Sequence, residues 1–450
     1  MPQVTALRAL RYNLAQTGAL ADVVAPPYDV IDGQMQQRLY DRSPYNVVRL
    51  ILNKDEDGDD ELNNRYTRAA AFLKQWMQEG ALIREADPAM YLYQQQFELD
   101  GQARTRRGFL CGVRLERFGE GQIYPHEETH PGPKADRLKL TNATGTQLSP
   151  VFGIYPDEEN SVQDTLEQVV RGAPPLEVTA DDGVIHRLWP VTDIEAIGRV
   201  SALLSGKPTF VADGHHRYET ACAYRDMLAE GGAINLDHPA NFILMTLISM
   251  SDSGMLVLPT HRLFRGAPPM TREQLIERLG DAFTCEAAGD GPGFAPDIWS
   301  KIEKENEQGT LALFTGADKK WTRICITDAG VTQMADLAAD HSEDWRGLGV
   351  SILQRLVVES RLGLTDLPKP LYSRDMKELV ERLTRGDLGG RDATGQAGQA
   401  GDPFHLAALV MPATLEHVRA ISEHGERMPA KSTFFYPKLL SGLVFHPVSP

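Results

Sequence analysis

Apolar and polar residues alternate with period two through residues 91–99 and again through 107–115, on either side of Asp100-Gly101. That pattern predicts a β-hairpin with a somewhat extended loop. Short apolar runs of strand length recur at 151–155, 184–189, 209–212, 242–250 and 255–258, and helical spacing intervenes at 161–171, 193–204 and 215–229. Strands interleaved with helices in this way predict an α+β fold whose N-terminal domain is built on a mixed sheet. At Arg265-Gly-Ala-Pro-Pro269 the punctuation changes. A helix at 271–282, strands at 311–314 and 323–327, helices at 350–359 and 375–384 and a strand at 404–410 then predict a smaller α+β C-terminal domain, so the expected division is 1–268 and 269–450. Residues 386–402 are rich in Gly, Ala, Gln and Asp with almost no large apolar side chain, which predicts a mobile surface loop.

Composition narrows the function class. With 42% hydrophobic and 24% charged residues the chain has the balance of a soluble globular protein, and a formal net charge of −16 disfavours nucleic acid as a partner. A phosphate site must then be a local basic island. The 4 cysteines, Cys111, Cys222, Cys285 and Cys325, lie far apart and form no paired metal spacing, which suits reduced thiols in a cytoplasmic protein. Residues 1–13 lack the apolar stretch of a signal peptide, and the apolar run at 242–250 is too short to span a bilayer, so no membrane association is expected.

The densest chemistry is in Lys207-Pro-Thr-Phe-Val-Ala-Asp-Gly-His-His-Arg-Tyr-Glu-Thr-Ala221. A buried strand runs through the Asp213-Gly214 turn into a helix whose first turn holds His215, His216 and Arg217. Free N–H groups and the positive end of the helix dipole favour an anion there, and imidazoles and a guanidinium add to that field. Basic residues in a first helical turn run against ordinary helix design, as functional sites often do. The plainer alternative is an Asp213 N-cap followed by three solvated side chains.

A second cluster, Ile123-Tyr-Pro-His-Glu-Glu-Thr-His-Pro-Gly-Pro-Lys-Ala-Asp-Arg-Leu138, carries three prolines that predict a non-helical loop presenting its side chains outward. His126 and Glu127 have the chemistry of an acid–base pair, and Lys134 and Arg137 that of phosphate contacts. Exposed ion pairing explains the same residues equally well. His126 and His130 with His215 or His216 would offer zinc nitrogen ligands, the basis of a zinc-dependent hydrolase reading, but no local spacing fixes a ligand set. Near the start, the two prolines of Val24-Ala-Pro-Pro-Tyr-Asp-Val30 pre-set an extended backbone at Tyr28 and Asp29, fit for a site or for a plain turn. Near the end, Lys431-Ser-Thr433 lacks the glycine-rich cradle of a P-loop, so a Walker A assignment fails, although Lys431 and Lys438 keep the charge to meet an anion. The acidic run 55–61 departs from the EF-hand pattern and predicts a solvated loop.

Ala25-Pro-Pro-Tyr-Asp-Val30, Pro125-His-Glu127 with Pro133-Lys134 and Asp136-Arg-Leu138, Ala212-Asp-Gly-His-His-Arg-Tyr-Glu-Thr220, Leu258-Pro-Thr-His-Arg262 and Met428-Pro-Ala-Lys-Ser-Thr-Phe-Phe-Tyr-Pro-Lys438 occur together and in order. In these motifs, which reach over nearly the whole chain, it resembles DUF1015, a bacterial and archaeal family whose name confers no reaction. Locally, Asp213-Gly-His-His-Arg217 is similar to the phosphate-binding turn of the ParB and sulfiredoxin superfamily, which includes partition proteins that bind CTP and free-serine kinases. That likeness implies a turn cradling nucleotide or substrate phosphates, with a nucleoside di- or triphosphate and Mg2+ as cofactors. His215 stands where sulfiredoxins place a nucleophilic cysteine, which removes thiol chemistry and leaves phosphoryl transfer. The resemblance further implies a small phosphorylated ligand, with serine or phosphoserine as candidates. A nucleotide-binding regulatory protein without turnover is the alternative reading.

Overall fold

The computed structural model describes residues 3–128, 131–232, 234–387, 390–391, 397–398 and 401–449. Its contacts group into two compact units, one of residues 1–125, 129–256 and 437–450, the other of 126–128 and 257–436.

The first unit is built on a 9-stranded mixed sheet. Its strands run in the spatial order Ile123–Pro125, Thr209–Asp213, Val151–Tyr155, Phe242–Ser249, Gln102–Arg114, Met90–Leu99, Ile185–Val191 and Leu176–Thr179, with Val4–Thr5 also paired to Gln102–Arg114. Thr209–Asp213 lies parallel to Ile123–Pro125 and antiparallel to Val151–Tyr155, which in turn is parallel to Phe242–Ser249. Val151–Tyr155 is buried along its whole length and Phe242–Ser249 over all but its first residue, which is why both read in sequence as unbroken apolar runs. Helices Ser161–Val169 and Ile194–Leu204 pack on each other and close a core that includes Phe109, Val162, Val200, Val211 and Tyr218. Helices Pro131–Thr144 and His215–Glu230 form a second packed pair.

Two local expectations are corrected. The hairpin loop is not extended: Leu99 pairs with Gln102, leaving the two-residue turn Asp100-Gly101 with φ of 53° and 73°. This is the left-handed pair that a tight hairpin needs, and Asp-Gly supplies it. The segment after His130 is not a loop either, because a helix spans Pro131–Thr144. Proline is tolerated in a first helical turn, where its missing N–H would have had no partner anyway. The prolines therefore start the helix instead of preventing it.

The second unit carries a 6-stranded sheet, antiparallel throughout, in the order Phe283–Asp290, Lys320–Ile326, Thr310–Thr315, Leu406–Leu409, His261–Phe264 and Leu371–Ser373. Helices Ala295–Glu305 and Met376–Arg385 lay Ile298, Trp299, Ile302, Leu379 and Leu383 into its core against Phe314 and Trp321. The predicted helix at 271–282 is observed as Arg272–Leu279, opened by a Thr271–Gln274 capping box. Part of the expected loop at 386–402 lies outside the described residues, as does His130.

Candidate functional site

Thr209–Asp213 ends in a β-bulge, its register slipping between Val211 and Asp213. A bulge re-aims the side chains beyond it. Gly214 follows with φ 93° and ψ 28°, and the helix opens at His215 with no side-chain cap and no acidic residue in its first turn. The Asp213 N-cap alternative is thus overturned: the Asp213 carboxylate is engaged instead by Lys438, Nζ to Oδ2 2.5 Å, and by Arg217 at 3.6 Å. A Cβ on Gly214 would sit 2.9 Å from the Arg217 guanidinium carbon, so only glycine allows both the left-handed backbone and the guanidinium folded over it. Arg217 also donates to the Pro150 carbonyl. His215 is buried and His216 half-buried.

Arg217 lines a cavity of about 540 Å³, counting the solvent at its mouth, together with Arg137 and Tyr28. Leu140, Leu148 and Ile243 give it apolar walls. The Arg137 guanidinium lies 4.0 Å over the Tyr28 ring and donates to the Ile51 carbonyl and to Asp136, each at 2.7 Å. Burial raises the Tyr28 phenol pKa, with Arg137 pulling the other way. Burial likewise opposes the charge of Asp136, yet Arg137, the Tyr66 hydroxyl and Arg65 together hold its carboxyl below the usual range. Lys134, on the helix that carries Arg137, pairs with Glu219 at 3.2 Å.

Behind Lys438 lies a buried clamp. Gln95 and Arg106 are direct cross-strand partners in the hairpin. Arg106 donates through Nε to the Gln95 side-chain oxygen at 3.0 Å and through Nη2 to the Pro437 carbonyl, while Gln95 donates to the Lys438 carbonyl at 2.9 Å. Arg106 also stacks over Phe152 at 4.9 Å, and its burial pulls its pKa down to about 10. The two residues fix the backbone from which Lys438 reaches Asp213. Neither emerged from the sequence motifs, although a glutamine and an arginine mid-strand at matched distances from a hairpin turn are a readable sign of a buried polar pair.

His126, Glu127 and Lys431 belong to the second unit. His126 is fully buried, its Nε2 2.7 Å from the Thr433 hydroxyl and 3.6 Å from Glu127 Oε1. Glu127 Oε1 accepts from the Thr433 hydroxyl at 2.9 Å and from the Thr433 backbone N–H at 3.1 Å. Arg262 donates to the Lys431 carbonyl at 3.1 Å, and Lys431 itself is held at φ 61°, an uncommon conformation for a side chain other than Gly, Asn or Asp. Three of the motifs therefore meet in this unit. Thr433, which joins His126 to Glu127, was not among the residues expected.

Among the described residues no group of three or more His, Cys, Asp or Glu is arranged to hold a metal ion, and no helix is long and apolar enough to cross a membrane. The chain is similar to a solved free serine kinase in complex with AMP, at 14% identity and a TM-score of 0.32, covering 70% of this chain and 83% of that one. It is similar to a conserved hypothetical protein from Pyrococcus furiosus at 14% and 0.30, covering 70% and 87%. SbnI with a C-terminal truncation from Staphylococcus aureus gives 13% and 0.32, covering 74% and 85%. No curated protein matches the chain. Residues 4–351 match the family described as "Protein of unknown function (DUF1015)", and the chain belongs to that family.

Proposed function

We propose that the chain is a phosphoryl-transfer enzyme acting on a small metabolite of the serine or phosphoserine class, with a ParB- and sulfiredoxin-like turn at Asp213–Arg217 holding phosphate. The observation that carries this reading is the helix start at His215, which has no side-chain cap while Arg217 folds over Gly214 and Lys438 stands at Asp213. Backbone N–H groups at a helix start, a guanidinium fork and an ammonium group are the donors that phosphoryl transfer needs, because its catalysis is mostly positioning and charge stabilisation. His216, Lys134, Arg137 and Lys431 are further candidate phosphate or substrate contacts. As the metabolite oxygen bonds to the transferred phosphorus, the bond from that phosphorus to the donor's bridging oxygen breaks, the shortened nucleotide leaves with that oxygen, and the hydroxyl proton passes to a base, for which His215 is the candidate in the first unit. His126 and Glu127 form a second candidate acid–base pair.

A nucleoside di- or triphosphate is the proposed donor, with Mg2+ to neutralise its phosphates. Mg2+ keeps several waters and takes one or two carboxylates beside the phosphates it neutralises. The non-catalytic reading, a nucleotide-binding regulatory protein, is favoured by one observation: the complete burial of His126 against Thr433, a structural use of a candidate acid–base group.

Incubation with ATP or ADP and Mg2+, with and without L-serine or phosphoserine, followed by 31P NMR, separates the two. The expected outcome is phosphate gained by serine or lost from phosphoserine. Arg217→Ala should weaken binding of the phosphorylated ligand by about 10- to 100-fold, the worth of one charge-assisted hydrogen bond. His215→Ala and Glu127→Gln should lower kcat more than binding, since arginine cannot carry a proton whereas His and Glu can. Tight binding with no turnover in any pairing would assign the protein to the regulatory class.

A further inference from the structure

We infer that Asp213 is a built-in stand-in for the ligand's anion, and that Lys438 and Arg217 exchange its carboxylate for a phosphate dianion when ligand binds. This rests on the reading that the turn is an anion site, and adds to it a binding residue and a selection rule.

The side chains involved are only partly exposed: Lys438 at 20%, Asp213 at 22% and Arg217 at 13%. Two cations converge on one carboxylate, Lys438 on Oδ2 and Arg217 on the Oδ1 side. Lys438 comes from 225 residues further along the chain. It is delivered by the Pro437 and Lys438 carbonyls, held by Arg106 and Gln95. Burying a guanidinium is costly unless its hydrogen bonds are satisfied, so this clamp is an expensive way to make one ordinary ion pair. It is a sensible way to fix a cation where an anion must be received. Arg217 also lines the cavity that holds Arg137, so one of the two cations on Asp213 borders a space that contains a further guanidinium.

The exchange has a chemical consequence. A carboxylate offers one negative charge, so another monoanion gains little by replacing it, whereas a phosphate dianion offers more charge and more acceptor oxygens to the same two cations. Asp213 therefore sets a threshold that excludes free carboxylates, such as that of an amino acid, and admits phosphate or a phosphate monoester.

The test is equilibrium binding of inorganic phosphate, with acetate as the monoanion, to the full chain and its variants. Asp213→Asn should bind phosphate about tenfold more tightly and acquire measurable acetate binding, while Lys438→Met should bind phosphate about tenfold more weakly. Asp213→Ala keeps the test available if the asparagine variant does not fold. Unchanged or weaker phosphate binding in the folded Asp213 variants overturns the exchange, as does an unaffected Lys438→Met. If Arg217→Ala loses phosphate while these variants match the wild type, the exchange falls and the anion-binding turn stands. If neither wild type nor Asp213→Asn binds phosphate, the turn reading falls with it.

Discussion

Gly214 shows how a single hydrogen in place of a side chain decides the candidate site. Its positive φ sends the chain from strand to helix without a capping side chain, and its bare α-carbon leaves room for the Arg217 guanidinium. Gly214→Ala should cost about 1–2 kcal/mol in stability through left-handed strain. It should also push Arg217 off its seat and lower phosphate affinity by about tenfold or more. Denaturant titration and phosphate titration of the same variant measure the two effects separately, and an alanine variant with unchanged affinity would show that the folded-over guanidinium is dispensable. The strand-to-helix turn at Asp213-Gly214 was legible because Asp-Gly between an apolar run and a helical pattern is a local signal. The partner of Asp213 was not, because nothing local in residues 209–221 points to Lys438.

At the scale of elements, apolar runs that are buried on both faces were the most legible. Residues 151–155 were read with the observed ends, and 209–212 missed only Asp213. The Pro131–Thr144 helix was lost because Pro131 and Pro133 signal a break when their place in the first turn is unknown. The hairpin shows how a small misreading hides a larger fact. An extended loop leaves the cross-strand register open, whereas the two-residue Asp100-Gly101 turn puts Gln95 opposite Arg106 and so exposes the clamp. Because both turn residues adopt positive φ, Gly101→Ala should destabilise the first unit by about 1 kcal/mol in chemical denaturation. An unchanged midpoint would mean that the surrounding sheet, not the turn, fixes the register.

At the scale of the molecule, buried histidines link stability to pH. Burial lowers the pKa of His186 and of His261 to about 3 and that of His446 to about 4, with Arg106 and Arg262 reinforcing the shift at His186 and His261 and Arg84 doing so at His446. Each is held neutral in the folded chain and takes up a proton near pH 6.5 when unfolded. Their contribution is therefore complete above about pH 6.5 and is lost as the pH falls, down to about 4 for His446 and about 3 for His186 and His261, by up to about 1.4 kcal/mol per pH unit for each histidine. Unfolding midpoints at pH 7, 6 and 5 should fall steadily, and His186→Gln should flatten the slope. A flat profile would mean that these imidazoles accept protons in place.

The return of residues 437–450 to the first unit bears on the order in which the protein comes into being. On the ribosome, residues 1–125 and 129–256 emerge long before the carbonyls that Arg106 and Gln95 require, before the bond of Leu10 to Phe445 and before that of Val448 to Gly145. Until residues 437 and 438 have emerged, the first unit must wait with the Arg106 guanidinium short of a buried partner. The candidate anion site acquires its lysine in the same late step. Emergence of residues 437–438 and delivery of Lys438 to Asp213 are thus one event, and a polypeptide released before it lacks this lysine together with the carbonyls that satisfy Arg106 and Gln95.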